Sequence, residues 1–239
     1  QIDQNIITID GKVVLQQGYR TIANDKDTTI DRGSNTILLN GNIEFREPGL
    51  LLLGSSALID NSESINRVEN AQYVLHNYSA HGSANSIVYE ADSGLVTIEN
   101  GEFSRCEPEN NFWKLRADNI TLDQQENRGY AKNVKIKVLN KTIAKLPLVP
   151  FATSDQRMTG FLEPSISYSS DGLDFMIPYY KVLSDKSDIT LAPRNISERG
   201  FGFEGNYRRL HGDEKNLSNF DFIYFNKDKD YNELYPNLS

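Results

Sequence analysis

Residues Ala144–Ser170 read AKLPLVPFATSDQRMTGFLEPSISYSS, and they divide the chain into two kinds of β-protein. Before this stretch the sequence repeats like a soluble β-solenoid or jelly roll. After it the sequence alternates like strands built to face lipid. Pro147 and Pro150, followed by a polar turn from Ala152 to Arg157, end one sheet. Gly160-Phe161-Leu162-Glu163-Pro164 then starts another. Proline has no N–H and does not sit in a central ladder, so Pro164 within an alternating run marks a weakened pairing edge.

Upstream, Gly11-Lys-Val-Val-Leu-Gln, Gly41-Asn-Ile-Glu-Phe-Arg, Ala71-Gln-Tyr-Val-Leu-His and Gly101-Glu-Phe-Ser-Arg-Cys start 30 residues apart. A weaker fifth copy is Lys132-Asn-Val-Lys-Ile-Lys. A second unit, centred on Ala23, Ala57, Ala84 and Ala117, recurs between them, each copy followed by a polar turn. One repeat is therefore expected to hold two short strands and two turns. Strand alternation places Val13 and Leu15, Ile43 and Phe45, Tyr73 and Leu75, Phe103, and Val134 and Ile136 on one inward face. Stacked at the ~4.8 Å strand spacing they form a continuous apolar stripe. Such a stripe is either the core of a sandwich or a groove open to acyl chains, and alternation alone does not separate the two.

Downstream of Gly160 the period is two. Leu162, Pro164, Ile166 and Tyr168 alternate with Glu163, Ser165 and Ser167. Phe175, Ile177 and Tyr179 follow the turn signal Asp171-Gly172. Ile189, Leu191 and Pro193 oppose Asp188, Thr190, Ala192 and Arg194, and Phe201, Phe203, Gly205 and Tyr207 oppose Gly202, Glu204, Asn206 and Arg208. Phe220, Phe222 and Tyr224 continue the pattern, with Ile223 and Phe225 breaking it, and a sixth strand is expected from Tyr231. Amphipathic segments of about ten residues with aromatics near their ends are the signature of an outer-membrane barrel. Five or six strands do not close one, since the smallest have about eight. The chain is thus expected to be a fragment, and Gln1 to lie inside a longer precursor.

Bulk composition agrees. The net charge of −8 with 24% charged residues gives no nucleic-acid footprint. The longest aliphatic run is Leu50 to Leu53, far short of a membrane helix of ~20 residues, so any membrane segment must be a strand. Twelve Tyr and eleven Phe suit an all-β chain. Cys106 stands alone, either a buried thiol or one whose partner lies outside this chain. His76, His81 and His211 show no metal-ligand spacing and read as surface residues, and no P-loop, nucleophile elbow or dinucleotide fingerprint occurs. A β-solenoid acting on or binding polysaccharide would need carboxylates on the inward column, which is apolar here. A plain outer-membrane porin would gain nothing from a proline-weakened seam.

Several motifs follow one another along the whole chain. They are Arg46-Glu-Pro-Gly-Leu-Leu-Leu-Leu-Gly, Glu69-Asn-Ala-Gln-Tyr-Val-Leu-His, Cys106-Glu-Pro, Trp113, and Leu146-Pro with Pro150-Phe. Then come Asp155-Gln-Arg-Met-Thr-Gly-Phe-Leu-Glu-Pro, Pro178-Tyr-Tyr, Thr190-Leu-Ala-Pro-Arg and Arg199-Gly. Together they resemble the LptD (OstA) family of LPS-assembly outer-membrane proteins. The resemblance implies an OstA-type periplasmic β-jelly roll over residues 1–150 and the first antiparallel strands of a large transmembrane β-barrel over 151–239.

It further implies a transporter rather than an enzyme, with no cofactor or metal. Lipopolysaccharide would be the cargo, its acyl chains riding the groove to a lateral gate. The implied partners are a periplasmic bridge protein (LptA), an outer-membrane lipoprotein plug (LptE) and outer-membrane lipid, with no nucleic acid. The implied location is the outer membrane, with the N-terminal domain in the periplasm. By the same resemblance the gate prolines are Pro164 and Pro178, and Cys106 forms a disulfide with a partner outside this chain. About twenty further strands are implied beyond Ser239. The sequence departs from the family pattern at Leu148, where an aromatic is usual, and in lacking a second N-terminal cysteine.

Overall fold

The computed structural model describes residues 5–76, 79–107, 112–154, 157–212, 216–226 and 228. They fall into two compact units, Gln1–Val149 and Pro150–Ser239. Each unit is built on its own β-sheet, and no α-helix occurs among the described residues.

The first sheet begins with four short strands, β1 (Ile6–Ile9), β2 (Val13–Gln17), β3 (Arg20–Asn24) and β4 (Thr28–Asp31). Eight long ones follow: β5 (Thr36–Glu47), β6 (Leu50–Asp60), β7 (Ile65–Leu75), β8 (Ala80–Glu90), β9 (Leu95–Ser104), β10 (Trp113–Asp123), β11 (Arg128–Val138) and β12 (Lys141–Ala152). They lie side by side in chain order, with β4 and β3 pairing with the two halves of β5. The 30-residue repeat is thus one hairpin of two strands, each ten to twelve residues long, not two short strands.

Two local devices set that geometry. At one end of the hairpins an aspartate starts the turn. The Oδ1 of Asp31, Asp60 and Asp123 accepts the N–H groups two and three residues on. The turn then closes through a left-handed residue: Asn35, Ser64 or Asn127. Midway along the strands a second left-handed residue kinks the chain: Gly41, Asn70, Asn100 and Asn133, with φ of 101°, 49°, 49° and 53°. Short amides tolerate this conformation because the side chain bonds locally. Asn70 Nδ2 donates to Ser55 Oγ at 2.8 Å and Asn133 Nδ2 to Asp118 Oδ2 at 3.0 Å. At Gly41 the register slips between Asn40 and Ile43, and a Cβ would lie 2.4 Å from Asp25 Oδ1. The kink lets residues of one strand meet. Leu39 and Ile43, on either side of it, share a buried cluster with Ala57, against which Ile22, Ile37, Ile59 and Val68 pack.

The second sheet holds β13 (Gly160–Phe161), β14 (Ser165–Ser169), β15 (Gly172–Met176), β16 (Tyr179–Ser184), β17 (Ser187–Ile196), β18 (Gly200–His211) and β19 (Asn216–Phe225). β15 and β16 both pair with the same edge of β17, and β14 and β13 pair with them in turn. These four segments are therefore two interrupted strands, and the sheet is a five-strand meander. β13/β14 lies at one edge and β19 at the other, and the sheet is not closed among the described residues. The sixth strand expected from Tyr231 lies outside the described residues.

Candidate functional site

The register of the first sheet draws one unbroken line. Leu15 faces Ile22, Ile22 faces Phe45, and Phe45 faces Leu52. The line continues through Tyr73, Gly82, Phe103, Leu115 and Ile136. Residues directly opposite share a face, so nine strands contribute to this row. Val13 and Ile43 lie in the neighbouring row through Asn24, and Val134 lies there on β11. Leu75 stands one row to the other side, opposite Leu50 and Ala80. The sequence thus places its nine stripe residues on one face. Their burial differs along the row: Ile136 is 2% exposed, whereas Leu15, on the short end strand, is 45% exposed. Leu15 therefore departs from the inward expectation, because among the described residues β2 pairs with β3 and has no outer neighbour. The reverse face carries ion pairs instead, Glu44 with Arg46 and Glu102 with Lys114 (3.1 Å) and Arg116 (3.7 Å).

Tyr73 is the polar member of the row. Its ring lies over Gly82, and its hydroxyl donates to the Glu102 carbonyl across the next strand at 2.7 Å. Burial, with Glu102 adding a smaller push, raises its hydroxyl to a pKa of about 12.

In the second sheet, register pairs separate two faces. Leu191, Pro193, Phe201, Phe203, Phe220, Phe222 and Tyr224 share one face, and all are exposed. The other face is polar and cross-linked. Arg194 bridges Asp174 (Nε to Oδ1, 2.8 Å) and Glu204. Asp188, 5% exposed, accepts from Tyr180 Oη at 3.0 Å, Arg157 Nη2 at 2.9 Å and Arg208 Nε at 2.8 Å. Pro164 and Pro178 sit at the two strand interruptions, between β13 and β14 and between β15 and β16. There the first strand carries three residues, 162–164, against two, Ile177 and Pro178. This bulge shifts the parity by one. Leu162 consequently does not share a face with Ile166 and Tyr168, as strict alternation predicts; it stands opposite Pro178.

A family profile described as LptA/(LptD N-terminal domain) LPS transport protein matches residues 1–128. The chain belongs to this LPS transport family. Among similar proteins are the LPS-assembly proteins LptD of Pseudomonas entomophila, 34% identical over 235 residues (98% of this chain, 24% of that protein), and of Saccharophagus degradans, 34% identical over 247 residues (99% and 28%). The chain therefore spans about a quarter of the length of the curated relatives it matches. The crystal structure of LptH, described as the LptA-homologous periplasmic component from Pseudomonas aeruginosa, covers 55% of this chain and 93% of its own at 10% identity. Its TM-score of 0.36 is too low to bear on the fold.

Within this LPS transport family member, sequence reasoning found one wall of the bent sheet and missed the other. Beyond the kink a second row runs Leu39, Ala57, Val68, Ile87, Ile98, Ile120 and Ala131. Its signal was present as alternation in Ile37/Leu39 and Val96/Ile98, on the far side of each kink. Among the described residues no three His, Cys, Asp or Glu side chains group as metal ligands. His76 and His211 are exposed, while His81 is half-buried with Nε2 3.0 Å from the Cys106 carbonyl. Cys106 is a free, half-buried thiol whose N–H donates to Ser104 Oγ at 3.1 Å.

Proposed function

We propose that the chain carries lipopolysaccharide toward the outer leaflet of the outer membrane. Residues 1–150 act as the periplasmic jelly-roll domain, and residues 151–239 supply the first strands of the transmembrane barrel. The acyl chains ride the face that bears Val13, Leu15, Ile43, Phe45, Tyr73, Leu75, Phe103, Val134 and Ile136. They leave through a lateral gate at Pro164 and Pro178. The protein is a transporter, not an enzyme, and needs no cofactor. It works with a periplasmic bridge protein and with a lipoprotein plug inside the completed barrel. Cys106 pairs with a cysteine outside this chain, in keeping with an oxidising compartment.

One observation carries this reading: a carboxylate-free row across nine strands, with the Glu44 and Glu102 ion pairs on the reverse face, in a chain of an LPS transport family. An aqueous polysaccharide track would need polar groups along that row. Photo-crosslinkers at Phe45 and Phe103, both half-buried, should capture lipopolysaccharide in the full-length protein, and those at Glu44 and Glu102 should not. Equal capture from both faces overturns the proposal.

A further inference from the structure

The strands of the second sheet are unequally fastened. β17 and β18 pair over ten consecutive residues, and so do β18 and β19. The first two strands pair at Gly160 and Phe161, lose register, and resume from Ser165. The second and third pair from Ser184 to Tyr179, then again from Met176 to Asp174.

Both breaks coincide with prolines. Leu162 N–H donates to the Pro178 carbonyl at 2.9 Å. Opposed residues of such an antiparallel pair ordinarily exchange two bonds, but proline returns none. One strand further in, Ile177 N–H donates to the Pro193 carbonyl at 3.2 Å. Pro193 likewise has no donor to return to Ile177. The absent donors thus step diagonally through adjacent strand pairs, beginning at the bulge that ends in Pro164.

On one side of this line the wall is clamped. Arg157 Nη1 donates to the Asp185 carbonyl at 2.6 Å, and its Nη2 reaches the Ser187 carbonyl at 3.2 Å and Asp188 at 2.9 Å. Val182 N–H donates to Thr159 Oγ1 at 3.1 Å. On the other side, the hairpin Ser165–Met176 is tied to the third strand by three register pairs and by the Asp174–Arg194 bridge. Just past that strand's end, Ser197 N–H donates to the Leu173 carbonyl and Glu198 N–H to the Asp171 carbonyl, both at 3.0 Å, with no clamp of the Arg157 kind among the described residues.

We propose that Pro193 is a third gate residue. It carries the crease into the third strand, so that the hairpin Ser165–Met176 swings as one flap about the line 162–164, 177–178 and 193. Arg157 and Asp188 are positioning residues that hold the base of the flap still. The proposal rests on the transport reading above and assigns a residue on a strand that stays fully paired with its other neighbour.

The test uses the full-length protein with Pro193→Ala and Pro193→Val, each of which gives the Ile177 carbonyl a donor. Amide exchange across the hairpin Ser165–Met176 and at Ile177 should slow roughly two- to tenfold, the worth of one net hydrogen bond. Surface lipopolysaccharide should fall and permeability to large antibiotics rise, with the barrel still assembled. Arg157→Ala should speed exchange at Leu162 and Val182 more than in the hairpin. Unchanged hairpin exchange in both Pro193 variants overturns the crease, and slowed exchange with unchanged export overturns its role as a gate. Pro164→Ala/Pro178→Ala separates the levels. If that pair impairs export while the Pro193 variants do not, the transport reading stands and this inference fails. If neither does, the gate reading falls with it.

Discussion

Gly82 offers a quantitative test of the row in the first sheet. A Cβ at this position would lie 1.9 Å from the Glu102 carbonyl oxygen, 2.4 Å from Tyr73 Oη and 2.5 Å from Tyr73 Cζ. The Tyr73 ring could rotate away, but the Glu102 carbonyl is backbone in the adjacent strand and cannot. Gly82→Ala should therefore part β8 from β9 and break the Tyr73–Glu102 bond. Overpacking costs about 1–3 kcal/mol, and the lost hydrogen bond about 1 kcal/mol more. The sum is about 2–4 kcal/mol, a large share of a domain's stability. Trp113 is the sole tryptophan, is buried, and stands 6.4 Å from the Phe103 ring, so its fluorescence reports on this neighbourhood. With a urea m-value of about 2 kcal/mol/M, the middle of the usual range, the midpoint of the detergent-held chain should fall by about 1–2 M with little change in m. Tyr73→Phe, which removes only the hydroxyl, should lose about a third as much. Tyr73→Ala should not rescue Gly82→Ala, because the carbonyl remains. A Gly82→Ala midpoint equal to that of the unsubstituted chain refutes the close-approach reasoning, and rescue by Tyr73→Ala assigns the clash to the ring alone.

Alkaline stability should also report on Tyr73. Its folded pKa of about 12 exceeds the unfolded value of 10.0, so its contribution is complete below pH 10 and is lost as pH rises toward 12. Tyr73→Phe should flatten the Trp113-detected stability profile across that window, and an unaltered profile counts against a buried hydroxyl. For Cys106, one thiol should titrate in this chain under native conditions. In the full-length protein Cys106→Ser should alter mobility on non-reducing electrophoresis, and identical mobility removes the proposed bridge.

The repeat was legible because its turns demand particular residues. An aspartate accepting two backbone N–H groups, followed by a residue able to adopt positive φ, recurs as Asp31…Asn35, Asp60…Ser64 and Asp123…Asn127. The row was legible because both partners of every pair obey the same period of two. The kinks were not. Asn70, Asn100 and Asn133 resemble any exposed asparagine until the φ angle is known. A kink also turns one long strand into two apparent short ones, which is why each repeat reads as short strands and why the second wall went unassigned. The bulge at 162–164 was hidden for a related reason: Leu162, Pro164, Ile166 and Tyr168 keep perfect alternation in the sequence while the pairing slips by one residue.

The side-chain sizes follow from the kink. The row next to it holds Gly54, Ala71, Ala84, Gly101 and Ala117, while the row beside that one holds Leu52, Tyr73, Phe103, Leu115 and Ile136. At Gly54 even a Cβ would come within 2.4 Å of Val68 Cγ1, and at Gly101 within 2.9 Å of Ile120 Cδ1, both side chains of the opposite wall. The walls therefore converge at the kink from β6 to β10, where the row holds only glycine and alanine, while the branched Ile43 and Val134 fill the same row on the flanking strands β5 and β11. An apolar guest would find space beside Phe45 and Phe103 rather than beside Ala71 or Ala117, which are almost fully buried. Exposure thus differs between adjacent rows of the same sheet: Ala71 and Ala117 are almost fully buried at the kink, whereas one row away Phe45, Leu52, Phe103 and Leu115 are half-buried, with Tyr73 and Ile136 buried among them.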